Sequence, residues 1–450
     1  MIASCATQEK EPHTKPVKNI ILFVGDGMGP AYLKAYRMMI DDPATSEVET
    51  TVFDSIFVGS LRTDPQGFSG EITDSSASAK ALATGKKAIN GQVTDSAASA
   101  TAFATGSKTI NGALSVDGQN KPIPTVLEKA KHQGKSTGMV VTSQIYHATP
   151  AAFVAHELNR DNYTEIANQY FDNQYLGRPY VDVLLGGGRK YFARKSRNIA
   201  KEFEQIGYDL VSSRDALINS NQPRVLGLFA DIGMDKMLDR DDNTPSLAEM
   251  TQVAIAKLSN NPNGFFLLVE GSQIDWAGHE NDIVGAMSEM ADFEAAVVEG
   301  LNFAKTNSET QIIVTADHST GGLSVGAAIN GHDYYQWNSQ VVKSFKITPN
   351  KMVQLAQVSG NLLAEFEKAT DIKLSSEDKK KLKEAPIKDY YQSLKIVTDL
   401  INRLSYTGWT TQGHTGVDVN LYAYGPASAE LVGNWDNTKL AEFMFSLLQR

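Results

Sequence analysis

The 450-residue sequence has a single cysteine, fewer basic than acidic residues and no long uninterrupted apolar run. One cysteine, Cys5, excludes an intrachain disulfide. No apolar stretch approaches the roughly 18 to 20 residues that a membrane-spanning helix needs. The formal net charge of −10 argues against a general polyanion-binding surface, so we expect no nucleic acid as a specific partner. An acidic chain can still bind phosphate where a metal ion or an arginine reverses the local field.

The cysteine lies in a short amino-terminal box that precedes a polar stretch. Ile2-Ala3-Ser4-Cys5 resembles the cleavage box of a bacterial lipoprotein, whose cysteine carries lipid. We therefore predict that residues 1–17 are an export remnant and tether. The protein is then expected to be exported and either periplasmic or anchored to a bacterial membrane through Cys5. The alternative is an accidental cysteine in a disordered tail.

Five short apolar runs alternate with segments of helical periodicity. Continuous apolar runs bounded by glycine or polar residues predict strands that are buried on both faces. Helical spacing is clear in SLAEMTQVAIAKLS, where Leu247, Met250 and Val253 share one face. We therefore predict an α/β fold in which helices flank a central, mainly parallel sheet. The predicted strands are residues 19–27, 136–143, 181–188, 264–272 and 311–319.

Acidic side chains follow three of the predicted strands. Asp26, Glu270 and the pair Asp317-His318 each come at the end of an apolar run. A single aspartate in such a place is usually a helix cap or a turn former. Ligands of open α/β sheets bind at the carboxyl ends of the strands, so the repetition predicts an active site at this edge.

Residues 326–408 interrupt the alternation of strands and helices. The segment is lysine-rich and mostly helical in pattern, and it separates the Asp317 run from the carboxyl-terminal TTQGHTG. We predict a helical insertion over the site, with residues 18–325 and 409–450 forming the catalytic domain. We interpret its charge runs as solvated surface.

Four of the eight histidines lie beside other potential metal ligands. Asp275 and His279 are four residues apart and can share one helical face, and His147 is two residues before Thr149. Mixed histidine and carboxylate ligands suit zinc, whereas an oxygen-rich site suits magnesium, so the set is large enough for more than one ion. The four histidines are His147, His279, His318 and His414. The remaining ones, His13, His132, His156 and His332, are expected to be ordinary surface or structural residues.

Ser96 begins SAASATAFATG, a small-residue segment predicted to be helical. The amino end of such a helix attracts an anion. A serine hydroxyl becomes a good nucleophile only when a base or a metal ion removes its proton. No Ser-His-Asp arrangement is evident from the sequence, whereas potential metal ligands are plentiful. A serine beside two metal ions roughly 4 Å apart predicts phosphoryl transfer.

Six segments together resemble the alkaline phosphatase family. They are FVGDGMG, VTDSAASATAFATGSKTINGALSVD, SQIYHATPAAFVAHELNR, VEGSQIDWAGH, VTADHSTGG and TTQGHTG, and they occur in the family's order. The resemblance implies hydrolysis of phosphate monoesters through a phosphoserine intermediate, with release of inorganic phosphate and an alcohol. It also implies two zinc ions and one magnesium ion per active site, and a preference for alkaline pH. A site that grips mainly the phosphate leaves the identity of the alcohol open.

The resemblance also implies roles for individual residues. The first zinc ion would be held by Asp275, His279 and His414, the second by Asp26, Asp317 and His318, and magnesium by Asp26, Thr149 and Glu270. Arg160 would hold two phosphate oxygens, a bidentate contact that lysine makes poorly. Asp95 would orient that arginine.

Two positions depart from the best-known bacterial members of the family, which have aspartate and lysine there. His147 lies near the expected magnesium, and Trp276 follows Asp275. The same pair resembles cold-active marine members. Because imidazole favours zinc over magnesium, a histidine here should weaken the site's preference for magnesium. His147 would either bind the ion directly or act through water. Trp276 takes the place of a cation near the phosphate, which predicts weaker binding of the product.

The sequence around Ser96 is present twice. Residues 72–91 and 93–112 align at a period of 21 with 14 identities in 20, and each copy contains Thr-Asp-Ser. The family's usual spacing favours Ser75, which lies 49 residues after Asp26. Local sequence favours Ser96, because only the second copy continues into ALSVDGQNKPIPTVLEKA. We choose Ser96 as the nucleophile and keep Ser75 as the alternative; the first copy would be an inert surface helix or a flap over the site.

Two rival functions and the oligomeric state stay open at this point. A phosphodiesterase or a sulfatase of the same superfamily is disfavoured by Arg160, since a clamp on two non-bridging oxygens suits a phosphate monoester. A catalytically inactive metal- or phosphate-binding lipoprotein is disfavoured by the complete ligand set. A protein that contains zinc but does not hydrolyse an aryl phosphate would support this binding-protein hypothesis. The resemblance is compatible with a monomer or a homodimer.

Overall fold

The computed structural model describes residues 16–42, 44–64, 93–117, 119–329 and 331–449. Cys5, His13 and Ser75 lie outside the described residues, as do the tether's first 15 residues and the whole first copy of the repeat, residues 72–91. The predictions made for them therefore stay predictions.

A ten-stranded sheet forms the centre of the chain. Its order is β10-β2-β9-β8-β1-β7-β3-β4-β6-β5, and all neighbours are parallel except β9, which is antiparallel to both β8 and β2. The mainly parallel sheet with flanking helices confirms the predicted fold class. The strands are β1 (Asn19–Gly25), β2 (Phe57–Arg62), β3 (Ser136–Gln144), β4 (Val183–Gly187), β5 (Asp209–Val211), β6 (Val225–Leu228), β7 (Phe265–Gly271), β8 (Thr310–Thr315), β9 (Val419–Tyr424) and β10 (Gly433–Asp436).

All five predicted strands are present, and they lie in or next to the middle of the sheet as β1, β3, β4, β7 and β8. Every residue of β1, β7 and β8 is buried, as a continuous apolar run predicts. The sequence analysis missed the five other strands. They are short or carry a mixed pattern: in β2, for example, Phe57 is exposed and only Leu61 is buried.

Seventeen α-helices are present among the described residues. The helix predicted from periodicity in SLAEMTQVAIAKLS is α9. The helices are α1 (Pro30–Ile40), α2 (Ser96–Thr105), α3 (Val126–His132), α4 (Ala148–Ala151), α5 (Tyr163–Asp172), α6 (Arg189–Phe192), α7 (Ile199–Gln205), α8 (Arg214–Ile218), α9 (Leu247–Leu258), α10 (Gln273–His279), α11 (Ile283–Thr306), α12 (Ser339–Lys343), α13 (Pro349–Ser359), α14 (Leu362–Ala369), α15 (Ser376–Lys383), α16 (Tyr390–Ser405) and α17 (Thr438–Gln449). No described helix is long and apolar enough to cross a membrane.

The segment 326–408 contains helices α12 to α16. It is joined to the rest of the chain through polar contacts: Thr348 donates to Asp239, and Asn350 donates to Glu280 over 3.0 Å. Its treatment as a separate insertion over the site stays a prediction.

The pairing register of the sheet determines which side chains meet at its edge. In β1, Val24 lies beside Thr315 of β8 on one side and Glu270 of β7 on the other. Asp26 lies two residues after Val24, and Asp317 lies two residues after Thr315. Parallel pairing therefore brings the three acidic side chains together, as the sequence predicts.

Candidate active site

Three carboxylates occupy the carboxyl edge of the sheet, and all are fully buried: Asp26, Glu270 and Asp317. Asp317 is fixed by backbone donors, because its Oδ1 accepts hydrogen bonds from the amides of Gly27 at 3.0 Å and His318 at 2.9 Å. Its other oxygen has no hydrogen-bond partner among the described residues, and neither does either oxygen of Asp26.

His318 contacts both the aspartates of this group and Ser96. Its Nε2 atom lies 3.1 Å from Asp317 Oδ2, 3.5 Å from Asp26 Oδ1 and 3.1 Å from Ser96 Oγ. Ligand atoms of Asp26, Asp317 and His318 all fall within 4.8 Å of one another, close enough to hold one metal ion. The three residues are the set that the family resemblance implies for the second zinc ion.

A second group of potential ligands involves helix α10. His279 Nε2 lies 3.3 Å from Asp275 Oδ2 and 3.3 Å from His414 Nε2, and His414 Nε2 is 3.8 Å from Asp275 Oδ1. The four-residue spacing of Asp275 and His279 does place both on one helical face. Ligand atoms of Asp275, His318 and His414 also lie within 4.8 Å of one another, so the two groups adjoin.

A third group shares Asp26 with the second. One ligand atom each of Asp26, His147 and Glu270 lies within 4.8 Å of the others. His147 Nδ1, Glu270 Oε1 and the Thr149 hydroxyl are buried and have no hydrogen-bond partner in the described parts of the chain. These are the donors that would face an ion at the predicted magnesium site.

The electrostatics of the acids differ with their neighbours. Burial, together with the negative charge of Asp317, raises the pKa of Asp26 well above its usual range. Burial likewise raises the pKa of Glu270 to about 7. Burial also acts to raise the pKa of Asp275, but the hydrogen bond and positive charge of His279 hold it below the ordinary value. Adjacent buried carboxylates of this kind are stabilised when a cation lies between them.

Ser96 is the first residue of helix α2, and Asp95 is the residue that caps it. Asp95 Oδ1 accepts a hydrogen bond from the amide of Ala98 at 2.8 Å, while Ser99 Oγ donates to the carbonyl of Asp317 at 2.6 Å. All ten residues of α2 are buried, which its small side chains allow. The helix is thereby held with its amino end and Ser96 against the carboxylates.

Arg160 contacts Asp95, the residue predicted to orient it, and also His147. Its Nη1 donates to Asp95 Oδ2 at 3.2 Å, and its Nη2 lies 3.1 Å from His147 Nε2. The ring of His147 in turn makes an edge-to-face contact with the ring of Trp276, at a centroid distance of 5.9 Å. The sequence-predicted residues are therefore all in one place, apart from Ser75, which the structure does not describe.

The 3.1 Å distance between Ser96 Oγ and His318 Nε2 raises the question whether the two form part of a proton relay. In a Ser-His-Asp triad the serine and the acid lie on opposite ring nitrogens of the histidine. Here Ser96, Asp26 and Asp317 all face Nε2, while Nδ1 faces the Thr320 hydroxyl at 3.2 Å. Convergence of several acids and a serine on one ring nitrogen is the geometry of a metal site rather than of a proton relay.

Sequence reasoning missed three polar residues that support the site. Ser272 Oγ donates to Glu270 Oε2 at 2.6 Å, the amide of Asp95 donates to Asn111, and the Thr320 hydroxyl donates to Asp275. Ser272 lies two residues after the predicted ligand Glu270, and Thr320 lies two residues after the predicted ligand His318. This closeness in sequence is the signal by which they could have been found.

The histidines set aside in the sequence analysis lie away from this cluster, as far as the structure describes them. His156 lies between Glu128, at 3.1 Å, and the carbonyl of Ser115. His132 contacts two tyrosine rings, and His332 is exposed on a two-residue strand.

A mainly parallel α/β sheet with clustered carboxylates, histidines and a helix-terminal serine defines a metal-dependent hydrolase. The sequence model of the alkaline phosphatase family matches residues 17–92 and 86–450. The chain belongs to the alkaline phosphatase family and is an enzyme that hydrolyses phosphate monoesters.

Individual relatives agree with this assignment. Alkaline phosphatase 3 of Bacillus subtilis is 43% identical over 99% of this chain and 92% of its own length. The structure of a cold-active alkaline phosphatase from a psychrophilic Shewanella species superposes with a TM-score of 0.84 and 41% identity, covering 96% of this chain and 100% of that one. A histidine-to-glutamate mutant of TAB5 alkaline phosphatase, with magnesium bound in a site called M3, has a TM-score of 0.67 and 25% identity and covers 97% and 99%.

Proposed function

We propose that this enzyme acts through a phosphoserine formed on Ser96, with two zinc ions and one magnesium ion. The observation that carries the proposal is the placement of Ser96 Oγ against His318, whose ligand atom lies within 4.8 Å of those of the buried acids Asp26 and Asp317. The three groups of ligands described above correspond to the three ions that the family resemblance implies.

The donor types fit those ions. The group around Asp275 combines one carboxylate with imidazoles. The group of Asp26, Asp317 and His318 combines two carboxylates with one imidazole. Both mixtures of donors suit zinc. The group around Glu270 adds the Thr149 hydroxyl and suits magnesium when His147 stays at a distance or acts through water. Bound there, such ions would supply the positive charge that lowers the pKa of a serine or water and stabilises a leaving oxygen.

The residues of the chain account for the chemistry in two steps. In the first, Ser96 Oγ attacks phosphorus; a bond from Oγ to phosphorus forms, the bond to the alcohol oxygen breaks, and the alcohol leaves with a proton. In the second, water attacks the phosphoserine, the bond to Oγ breaks, and inorganic phosphate is released. Helix α2 directs its amino end toward the phosphate throughout, which favours the anion.

Arg160 is suited to hold the phosphate during both steps. Its contacts with Asp95 and His147 leave three of the five guanidinium N–H groups for two non-bridging oxygens. Asp95 is itself held by the amides of Ala98 and Gly112. The clamp grips the phosphate and leaves the alcohol unspecified, so a range of small phosphate monoesters is the expected substrate class.

The family match also bears on the doubled stretch. Its two matched ranges overlap at residues 86–92, inside the repeat. The second range contains Ser96 and continues through every predicted ligand except Asp26. The first range contains Asp26 and Ser75, so the match covers both serines; the position of Ser96 Oγ, 3.1 Å from His318 Nε2, is what supports Ser96 as the nucleophile and the first copy as an accessory insertion. Export to the periplasm, with or without a lipid on Cys5, is part of the same proposal and rests on the Ile2-Ala3-Ser4-Cys5 box.

The experiment is hydrolysis of an aryl phosphate at alkaline pH, with zinc and magnesium present, by wild type, Ser96→Ala and Ser75→Ala. We expect Ser96→Ala to lose activity by at least about a thousandfold and Ser75→Ala to retain it. Collapse of Ser75→Ala alone would name the other copy as the nucleophile. An inactive wild type that carries its full complement of metal would favour a binding protein.

A further inference from the structure

Thr320 lies between the two predicted zinc sites and belongs to neither. Its side chain is fully buried, and its hydroxyl donates a hydrogen bond to Asp275 Oδ1 at 2.5 Å. The same oxygen is 3.2 Å from His318 Nδ1. One hydroxyl therefore touches a ligand of each site.

The backbone of Thr320 is held independently of its side chain. Its amide donates to the carbonyl of Gly27 at 3.1 Å, and its carbonyl accepts from the Tyr32 hydroxyl at 2.8 Å. It also pairs with His414 in a two-stranded ladder. A change confined to the hydroxyl should consequently leave the chain path intact.

Two glycines make room for this threonine. A Cβ atom on Gly27 would lie 2.7 Å from Thr320 Oγ1 and 2.9 Å from Asp275 Oδ1. A Cβ atom on Gly278 would lie 3.0 Å from Thr320 Cβ and 2.3 Å from the Tyr32 hydroxyl. The slot around the hydroxyl is thus shaped by residues next to two predicted ligands, Asp26 and His279.

The hydrogen-bonding capacity of a hydroxyl fixes the direction of both contacts. A hydroxyl has one proton and can accept through its lone pairs, so donation to Asp275 leaves it an acceptor toward His318. It then accepts from Nδ1–H of His318, which leaves the Nε2 lone pair facing Asp26, Asp317 and Ser96. Donation to Oδ1 of Asp275 likewise leaves Oδ2 facing His279.

We propose that Thr320 is a positioning residue for both zinc sites, orienting Asp275 and His318 through one hydroxyl. The proposal rests on the proposed function, because it assumes that these residues hold metal. Residues that orient metal ligands through a hydrogen bond typically contribute 10- to 100-fold in affinity or activity.

The test compares Thr320→Val, which keeps the shape and removes the hydroxyl, with Thr320→Ser, which keeps the hydroxyl. The matched control is Thr251→Val, another fully buried threonine whose hydroxyl has no partner among the described residues. Zinc is titrated into each metal-free protein against a chromogenic chelator. The absorption spectrum of the cobalt-loaded protein reports the geometry of the ligands.

We expect Thr320→Val to bind zinc roughly 10- to 100-fold more weakly and to change the cobalt spectrum, while Thr320→Ser and Thr251→Val stay within about threefold of wild type. A zinc titration of Thr320→Val that matches wild type would overturn the proposal, as would equal losses in all three variants. Failure of wild type itself to bind zinc would instead overturn the proposed metal function. Circular dichroism of the metal-free proteins checks that each variant is folded.

Discussion

Two buried groups of charged side chains in this molecule differ in the partners that compensate their charge. The carboxylate cluster, consisting of Asp26, Glu270, Asp275 and Asp317, forms ion pairs only with histidines within the described residues. A second group, the ion-pair cluster, lies where residues 236–240 meet α11. There Arg240 pairs with Asp292 at 2.7 Å, Lys236 pairs with Glu280 at 2.7 Å, and Arg240 lies 3.8 Å from Glu289.

The comparison shows where an external cation is needed. In the ion-pair cluster each acid has a cationic side chain within reach, and backbone amides supply further donors: Met237 to Glu289 and Leu247 to Asp292. In the carboxylate cluster the oxygens of Asp26 have no donor in the described residues. Both clusters are buried, so depth alone does not mark a metal site. Unpaired oxygens from several neighbouring acids mark it, whereas in the ion-pair cluster a single carboxylate oxygen, Asp282 Oδ2, lacks a partner among the described residues.

Removal of metal should have the largest effect and should separate the two clusters. A strong chelator should lower phosphatase activity by at least about a thousandfold and lower the melting temperature, because metal binds the folded state and not the unfolded one. Zinc with magnesium should restore both. Activity and melting temperature are measured before and after dialysis, with zinc content determined by elemental analysis. Full activity in protein shown to be free of metal would contradict the cluster's assigned role.

The ion-pair cluster should break when its own cation is removed. Arg240→Met leaves Asp292 and Glu289 without their buried partner and should cost about 3–5 kcal/mol of unfolding free energy. Lys395→Met, which breaks the exposed pair with Asp399, should cost less than about 1 kcal/mol. Denaturant unfolding measures both. We expect Arg240→Met to retain wild-type zinc stoichiometry, and loss of zinc would show that the two clusters are coupled.

Asp282 gives the ion-pair cluster a dependence on pH. Burial raises the pKa of this carboxyl to about 7, although Lys236 opposes the shift. The folded protein therefore keeps the proton up to about pH 7, whereas the unfolded chain ionises near about pH 4. The stabilisation is complete below about pH 4 and is lost as the pH rises through about 7.

Asp282→Asn should remove that dependence while keeping the cap hydrogen bond that the side chain accepts from the amide of Gly285. Relative to wild type, the variant should gain on the order of 2 kcal/mol of stability between pH 5 and pH 8. Unfolding free energies at several pH values measure this. A constant difference across that range would contradict the raised pKa.

A smaller effect is expected when a cation is placed beside the carboxylate cluster. Trp276→Lys would put an ammonium group near the phosphate, so inorganic phosphate should inhibit roughly fivefold more tightly, equivalent to about 1 kcal/mol. Trp276→Phe, which adds no charge, serves as the control. Tighter phosphate inhibition of wild type than of Trp276→Lys would show that tryptophan does not weaken product binding.

Much of the fold and of the site follows from local patterns. The strands buried on both faces are continuous apolar runs, so β1, β7 and β8 could be predicted with their acids at the ends. The strands β2, β9 and β10 were missed because they are only partly buried and so lack a continuous apolar run, and their pairing depends on distant segments. Helix α2 was predicted from small residues, but only packing shows that all of it is buried.

The metal ligands could be predicted from the family resemblance, whereas the residues that hold those ligands in place could not. Asp275 and His279 share a helical face at a spacing visible in the sequence. The contacts of Thr320 with Asp275 and of Ser96 with His318 join residues 45 and 222 positions apart. No local pattern encodes such distances, because they are set by the packing of α2 and α10 against the sheet edge.

Apolar periodicity and ligand chemistry are local properties, so the amino-acid sequence was enough to predict the family, the parallel sheet and the residue types that deliver metal ligands to one edge. The tertiary structure decided which buried acids lack a cationic partner and how one hydroxyl reaches two predicted metal sites. It also placed Ser96 on the face of His318 that the acids share. These outcomes depend on long-range packing and burial, which alone decide whether a charged group meets a partner or requires an ion.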